Sequence, residues 1–277
     1  MFKTRELFFR SLCALAGCCL AACATQHVHT APLEVEEIRP GLLKGYLDTA
    51  ALPNSLALLP APPAADSPEY AADQAAFQAT RSLSGSPRWA LATTDADIHF
   101  PPDLFSCALG VAITKEATPN LVVLLRRSLT DAGLATYTAK KHYQRERPFM
   151  VNNAGTCTPG DEPMLRKDGS YPSGHTSIGW TWALLLAEVA PEQQGPLLAR
   201  GYAYGQSRVI CGAHWQSDVT AGRVIASGVV ARLHADPDFR AQIEAAKTEV
   251  ANARKKGLPP TRDCSAEAIA LTPETTP

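Results

Sequence analysis

Across residues 119 to 250 the apolar side chains return every third or fourth position, and alternation of apolar with polar residues is nearly absent. That period puts them on one face of a helix, whereas a half-buried strand needs a period of two. The chain therefore reads as all-α. The clearest series is Leu121, Leu124, Leu125, Leu129, Ala132, Ala135 and Tyr137. It opens at Pro119, suited to a first helical turn, and is expected to stop by Arg147, because Pro148 disfavours helix in the residue before it. Ser67 as N-cap and Pro68 at the first position begin an Ala-rich helix to about Leu83. Further helices are expected from Ser173 to Pro191, over about Leu197 to Val209, from about Trp215 to His234, and after Asp236-Pro237, where Phe239, Ile243, Ala246 and Val250 share a face. Gln216 to Val230 is rich in Ala, Gly and Ser, which lets a helix approach its neighbours closely. Together these elements predict a single helical-bundle domain.

The ends differ from this body. Lys3, Arg5 and Arg10 precede an uncharged stretch from Ser11 to Cys23, too short to span a bilayer comfortably, and residues 1–22 read as a secretion signal. The stretch closes in Leu20-Ala21-Ala22-Cys23, which resembles the bacterial lipobox, whose Cys is acylated. A second candidate, Leu15-Ala16-Gly17-Cys18, leaves a shorter uncharged stretch. On this reading the protein is an outer-membrane lipoprotein anchored through Cys23 at the periplasmic face of the cell envelope. Residues 23–63 carry Pro32, Pro40, Pro53, Pro60, Pro62 and Pro63, cannot hold a long helix, and read as a tether that then drapes over the body. His27 and His29 within it read as surface histidines. The body is expected over 64–256, with 257–277 as an irregular tail. No run of 18 uncharged apolar residues follows the signal, so nothing after it reads as a membrane span.

Composition removes whole classes of function. With 45% apolar and 19% charged residues the chain is not disordered throughout. Its 26 Lys+Arg are matched by 27 Asp+Glu, so there is no basic excess to neutralise a nucleic-acid backbone. Cys107, Cys157, Cys211 and Cys264 form an even set in an exported chain, which predicts two disulfides. Their spacing matches no compact zinc pattern, and three pairings are open.

Three segments concentrate the side chains that phosphoryl chemistry needs. In Lys140-Lys-His-Tyr-Gln-Arg-Glu-Arg147-Pro148, seven helical residues turn about 700°, so Lys140 and Arg147 share a face and converge on one anion. Lys141, His142, Arg145 and Glu146 are assigned to solvated surface. In Pro172-Ser173-Gly174-His175-Thr176, before an apolar helix, Gly174 lets free backbone N–H groups approach an anion, Ser173 offers a hydroxyl, and His175 stands ready to deliver a proton. In Ser207-Arg208-Val-Ile-Cys-Gly-Ala-His214-Trp-Gln-Ser-Asp218, the carboxylate four residues on holds one imidazole nitrogen and frees the other, while Arg208 is a fork for phosphate oxygens. Each segment alone also has an ordinary structural explanation: a solvated helix face, a plain N-cap, a stabilising His-Asp pair.

In order, the segments spell Lys-x6-Arg-Pro, Pro-Ser-Gly-His and Ser-Arg-x5-His-x3-Asp. This pattern resembles the PAP2 superfamily of acid phosphatases, lipid phosphatases and vanadium haloperoxidases. Ala65 to Pro68, Gly169 to Thr176 and Gly205 to Asp218 are similar to the bacterial class A non-specific acid phosphatases, over about residues 64 to 250. The resemblance implies that His214 is the nucleophile, Asp218 orients it, and His175 protonates the leaving oxygen. It also implies that Lys140, Arg147, Ser173, Gly174, His175 and Arg208 bind the phosphate, with no metal and no cofactor. Small phosphorylated substrates, inhibition by phosphate or vanadate, and a homodimer follow as expectations. The rivals are a vanadium haloperoxidase and a non-catalytic phosphate-binding lipoprotein. Because Cys157 and Cys211 flank active-site segments, the favoured pairing is Cys157 with Cys211, leaving Cys107 with Cys264.

Overall fold

The computed structural model of the protein describes residues 30–98 and 102–272. The signal, with Cys18 and Cys23, and also His27 and His29, lies outside the described residues. A small hairpin, β1 (Glu37–Arg39) with β2 (Leu42–Leu43), comes first. Short helices α1 (Ser55–Leu58), α4 (Ser106–Leu109), α7 (Pro148–Val151) and α8 (Glu162–Leu165) join longer ones. These are α2 (Pro68–Thr80), α3 (Pro87–Thr94), α5 (Pro119–Leu134), α6 (Tyr137–Tyr143), α9 (Gly174–Val189), α10 (Gln194–Ile210), α11 (Gln216–Leu233), α12 (Pro237–Lys255) and α13 (Cys264–Leu271). The fold is mostly helical, as the spacing requires. No described helix is long and apolar enough to cross a membrane.

Local chemistry sets the helix starts. Ser67 Oγ accepts from the Tyr70 N–H at 3.1 Å, and Asp236 accepts from the Phe239 N–H at 2.8 Å. Pro68 and Pro237 follow in the first turn, where a missing N–H costs nothing. Burial does the rest: α9 is the centre, packed against α5, α10 and α11, with α12 against α5. Ile178, Trp182, Leu185 and Leu186 of α9 meet Leu121, Leu124 and Leu125 of α5 in one core. Glycine permits the closest approach. A Cβ on Gly201 would lie 2.3 Å from the Ala183 Cβ, and one on Gly179 would lie 2.1 Å from the Tyr204 ring.

The fold departs from the sequence reading in three places. The helix expected from Pro119 to Arg147 is two, because Thr136 turns its hydroxyl onto the Gly133 carbonyl at 2.7 Å and Gln144 adopts a left-handed φ of 44°. Lys140 therefore sits on α6 and Arg147 before α7, and they do not share one helix face. The tail expected to be irregular carries α13, capped by Asp263, tied by a Cys107–Cys264 disulfide and docked through Glu267, whose carboxylate lies 3.3 Å from Arg200 Nε. Finally, the Pro-rich segment holds more than a tether. Tyr46 and Leu47 donate backbone N–H bonds of 2.9 and 3.1 Å to Asp131 on α5, and the Arg127 guanidinium lies 3.7 Å from the Tyr46 ring centroid. The second disulfide joins Cys157 to Cys211, so both favoured pairings are those present.

Candidate active site

The three charged segments, far apart in the chain, meet at a cavity of about 710 Å³ lined in part by Lys140, Arg147, Gly174, His175 and His214. Two cations are tied to one carboxylate. Lys140 Nζ donates to the Gly169 carbonyl at 2.5 Å and to Asp168 Oδ2 at 3.2 Å, while Arg147 Nη2 reaches the same Asp168 oxygen at 3.3 Å. Arg147 is further pinned, Nε to the Leu165 and Asp168 carbonyls and Nη1 to the Ala213 carbonyl, at 2.9 to 3.1 Å. Burial pushes the Lys140 ammonium down to about 8, against the raising influence of Asp168. Both cations are thus fixed before any ligand arrives.

His214 lies between an acid and a base. Arg147 Nη1 donates to its Nε2 at 3.0 Å, and since a guanidinium only donates, Nε2 is the acceptor. The proton belongs on Nδ1, which faces Asp218 Oδ2 at 3.3 Å. His214 precedes α11 instead of opening it. Asp218 reaches back into the N-terminal turn, also accepting from the Trp215 N–H at 2.8 Å. Burial, then Arg147, Lys140 and Arg208, hold the His214 imidazole well below the usual histidine range, so it is neutral at neutral pH.

His175 sits in the first turn of α9 with its Nε2 at 2.9 Å from the Ala96 carbonyl. A carbonyl only accepts, so Nε2 carries a proton and Nδ1 is the nitrogen left for chemistry. Burial and then Arg208 keep this imidazole, too, well below its ordinary value. Ala96 is held by its neighbour: fully buried Asp95 accepts from Arg200 at 2.5 and 3.1 Å and from Ser207 Oγ at 2.6 Å. Ser207 therefore supports Asp95. Ser173 is the N-cap of α9, its Oγ accepting from the Thr176 N–H at 3.2 Å and the Thr176 hydroxyl at 2.9 Å. Gly174 follows in the turn whose N–H groups have no intrahelical partner.

Arg208 is the least satisfied group of the set. It is 1% exposed, and its Nε and Nη1 have no hydrogen-bond partner. Burial pushes its guanidinium down to about 10, which leaves it charged. A buried cation without a partner is costly, which is the condition expected of a site whose anion is its missing partner.

Arg145 corrects the sequence reading, which placed it on solvated surface with Lys141, His142 and Glu146. Those three are exposed. The Arg145 side chain is 8% exposed and bridges Asp218 Oδ1 at 2.6 Å and Asp73 Oδ2 at 2.8 Å, with Ser217 Oγ at 2.7 Å. The left-handed turn at Gln144 sends it inward. Reading sequence alone also missed Asp73, Asp168 and the Ala96 carbonyl. No signal in the sequence marked Arg145, because its two carboxylate partners lie 72 and 73 positions away.

Comparison with known proteins covers the same part of the chain. The PAP2 superfamily model matches residues 121–241, the span holding all three segments. A non-specific acid phosphatase of Providencia stuartii is 47% identical over 213 residues, covering 76% of this chain and 86% of that protein. The chain belongs to the PAP2 superfamily. Its PAP2 relatives also include an acid phosphatase of Zymomonas mobilis, 45% identical over 207 residues (74% and 78% of the two chains), and a non-specific acid phosphatase of Salmonella typhimurium, 46% identical over 200 residues (71% and 80%).

Proposed function

We propose that this PAP2 protein is an exported acid phosphatase that hydrolyses phosphate monoesters of broad range through a phosphohistidine on His214. The observation that carries the reading is the buried Arg208, whose Nε and Nη1 have no hydrogen-bond partner, in a site where Lys140 and Arg147 are already fixed. Three cations, of which Lys140 and Arg147 share the single carboxylate of Asp168, leave an excess of positive charge suited to a phosphate dianion, and they spread over the oxygens where transition-state charge develops. Arg147 Nη1, which holds the Nε2 lone pair of the neutral His214 in the free protein, turns to the phosphate oxygens, and Nε2 then attacks phosphorus, forming N–P as the P–O bond to the leaving group breaks. Asp218 stabilises the positive charge that develops on the ring. Burial and Arg208 keep the free His175 ring neutral, and a bound dianion offsets Arg208, so in the complex His175 takes up a proton on Nδ1 and gives it to the leaving oxygen; Nδ1 then takes a proton from water as water oxygen bonds to phosphorus and N–P breaks. No step in this scheme needs a metal or cofactor. Cys23 acylation and an envelope location, with vanadate and phosphate as inhibitors, belong to the same proposal.

The test uses p-nitrophenyl phosphate with a chelator present, rapid quenching of labelled substrate, and His214→Ala. An acid-labile, base-stable phosphohistidine that disappears in the variant is expected. Label on serine, label retained in His214→Ala, or bromide oxidation with vanadate and no phosphate release would overturn the assignment.

A further inference from the structure

The cavity is far larger than the group its catalytic end is built to hold. A phosphoryl group of five heavy atoms takes on the order of 100 Å³, judged against about 30 Å³ per water, while the cavity measures about 710 Å³. What lines the remainder is chiefly apolar. Ile178 of α9, Leu129 of α5 and Leu42 of the N-terminal hairpin line it, together with Leu134, Tyr137 and Met164. The last three are 37%, 41% and 66% exposed. They are three of the ten large apolar side chains left in water among the described residues, and all three line one cavity. An apolar surface continuous with fixed polar groups at one end is the form of a small-molecule site.

We propose that this surface binds the leaving group, and that the preferred substrates are phosphate monoesters of alcohols with an extended apolar part. The inference rests on the phosphatase reading above and adds the substrate class. The N-terminal hairpin is placed to determine specificity: Arg126 Nη2 donates to the Gly41 carbonyl at 2.5 Å, fixing the turn that presents Leu42. Residues before the catalytic motifs thus complete a wall of the site. The exposed Arg39, Lys167 and half-buried Arg126 also line the cavity. They form a positive rim, and the experiment separates their contribution from that of the apolar wall.

The experiment measures kcat/KM on the full mature protein for ethyl, butyl and hexyl phosphate, β-glycerol phosphate, and a hexyl phosphate with a terminal carboxylate. In parallel, calorimetry measures binding of methyl-, butyl- and hexylphosphonate, which cannot be hydrolysed. Burying each added methylene is expected to raise kcat/KM and tighten phosphonate binding by about two- to fourfold, so hexyl exceeds ethyl by at least tenfold. In Leu134→Asn/Met164→Gln, two exposed positions, the hexyl-to-ethyl ratio should fall severalfold. That ratio is internal to each preparation and does not move with the fraction folded. Flat chain-length profiles with turnover intact would overturn the inference and leave the phosphatase reading standing. A gain confined to the carboxylate ester would also overturn it, in favour of the cationic rim. Absence of turnover on every ester would remove the phosphatase reading, and phosphonate affinity would still decide the pocket: tightening with chain length supports it and equal affinities refute it.

Discussion

Replacing Arg145 by Met tests whether a residue outside the phosphate site keeps its histidine in working order. The substitution keeps the aliphatic stem and removes the only cation hydrogen-bonded, among the described residues, to both Asp218 and Asp73, at 2.6 and 2.8 Å. Asp218 is fully buried and Asp73 is 3% exposed, so neither carboxylate gains water in exchange. Breaking a buried ion pair from one side typically costs about 3–5 kcal/mol. At roughly 2–4 °C per kcal/mol for a chain of this size class, Tm should fall by about 6–20 °C at neutral pH. The pH dependence gives the reasoning its sign. Burial already raises the Asp218 carboxyl, and Arg145 is the main influence lowering it, so the variant raises it further. An acid whose folded value lies above its unfolded value loses stability as pH rises through the folded value. The Tm gap between variant and wild type should therefore be wide at pH 7.5 and narrow towards pH 4.5. Activity should fall as well. An ionised Asp218 holds the proton on His214 Nδ1, and losing a charged hydrogen bond of about 1.5–3 kcal/mol lowers kcat by roughly 10- to 100-fold. Arg145→Lys should recover part of both losses, and Asp73→Asn added to Arg145→Met should cost less than the sum. A Tm gap independent of pH, or a variant within about 1 kcal/mol of wild type, would refute the account.

Three further predictions follow from the site. Lys140 is charged only below about 8, so phosphate binding measured by calorimetry should weaken up to tenfold per pH unit above that point, and Lys140→Arg should move the onset to higher pH; an unmoved onset would reject Lys140 as the titrating group. His175→Ala should lose about 10²- to 10⁴-fold on alkyl phosphates and distinctly less on p-nitrophenyl phosphate, whose phenolate leaves unaided, and equal losses would remove the acid role. Gly222→Ala places a Cβ 2.6 Å from the Ser173 carbonyl and should destabilise the protein by about 1–3 kcal/mol in chemical denaturation, with phosphate affinity reduced because the start of α9 is displaced; wild-type affinity and stability would contradict that packing.

Where the sequence was legible, the information sat within a few neighbouring residues. Ser67-Pro68, Ser173-Gly174 and Asp236-Pro237 each carry a cap and a first turn in consecutive positions, and an apolar series every three or four residues shows which face of α5, α9 and α12 is buried. The three motifs were legible for the same reason, since each is a short string with fixed spacing. The left-handed Gln144 was not, because glutamine has no strong preference for that conformation; the surrounding chain imposes it, and it is what separates Lys140 from Arg147 along the backbone.

Sequence alone, then, determined the helical class, the three charged segments and the residues on them with chemistry to offer. Tertiary structure decided what those residues are. Arg145 looked like solvated surface until the fold brought Asp73, 72 positions earlier, and Asp218, 73 positions later, to the same guanidinium. His175 acquired a defined tautomer from the Ala96 carbonyl, 79 residues away. The physical reason is that helix formation is set by near neighbours, whereas the charge and proton affinity of a side chain depend on what surrounds it in three dimensions. Water removal and the partners that replace water come from distant parts of the chain, and no local pattern records them.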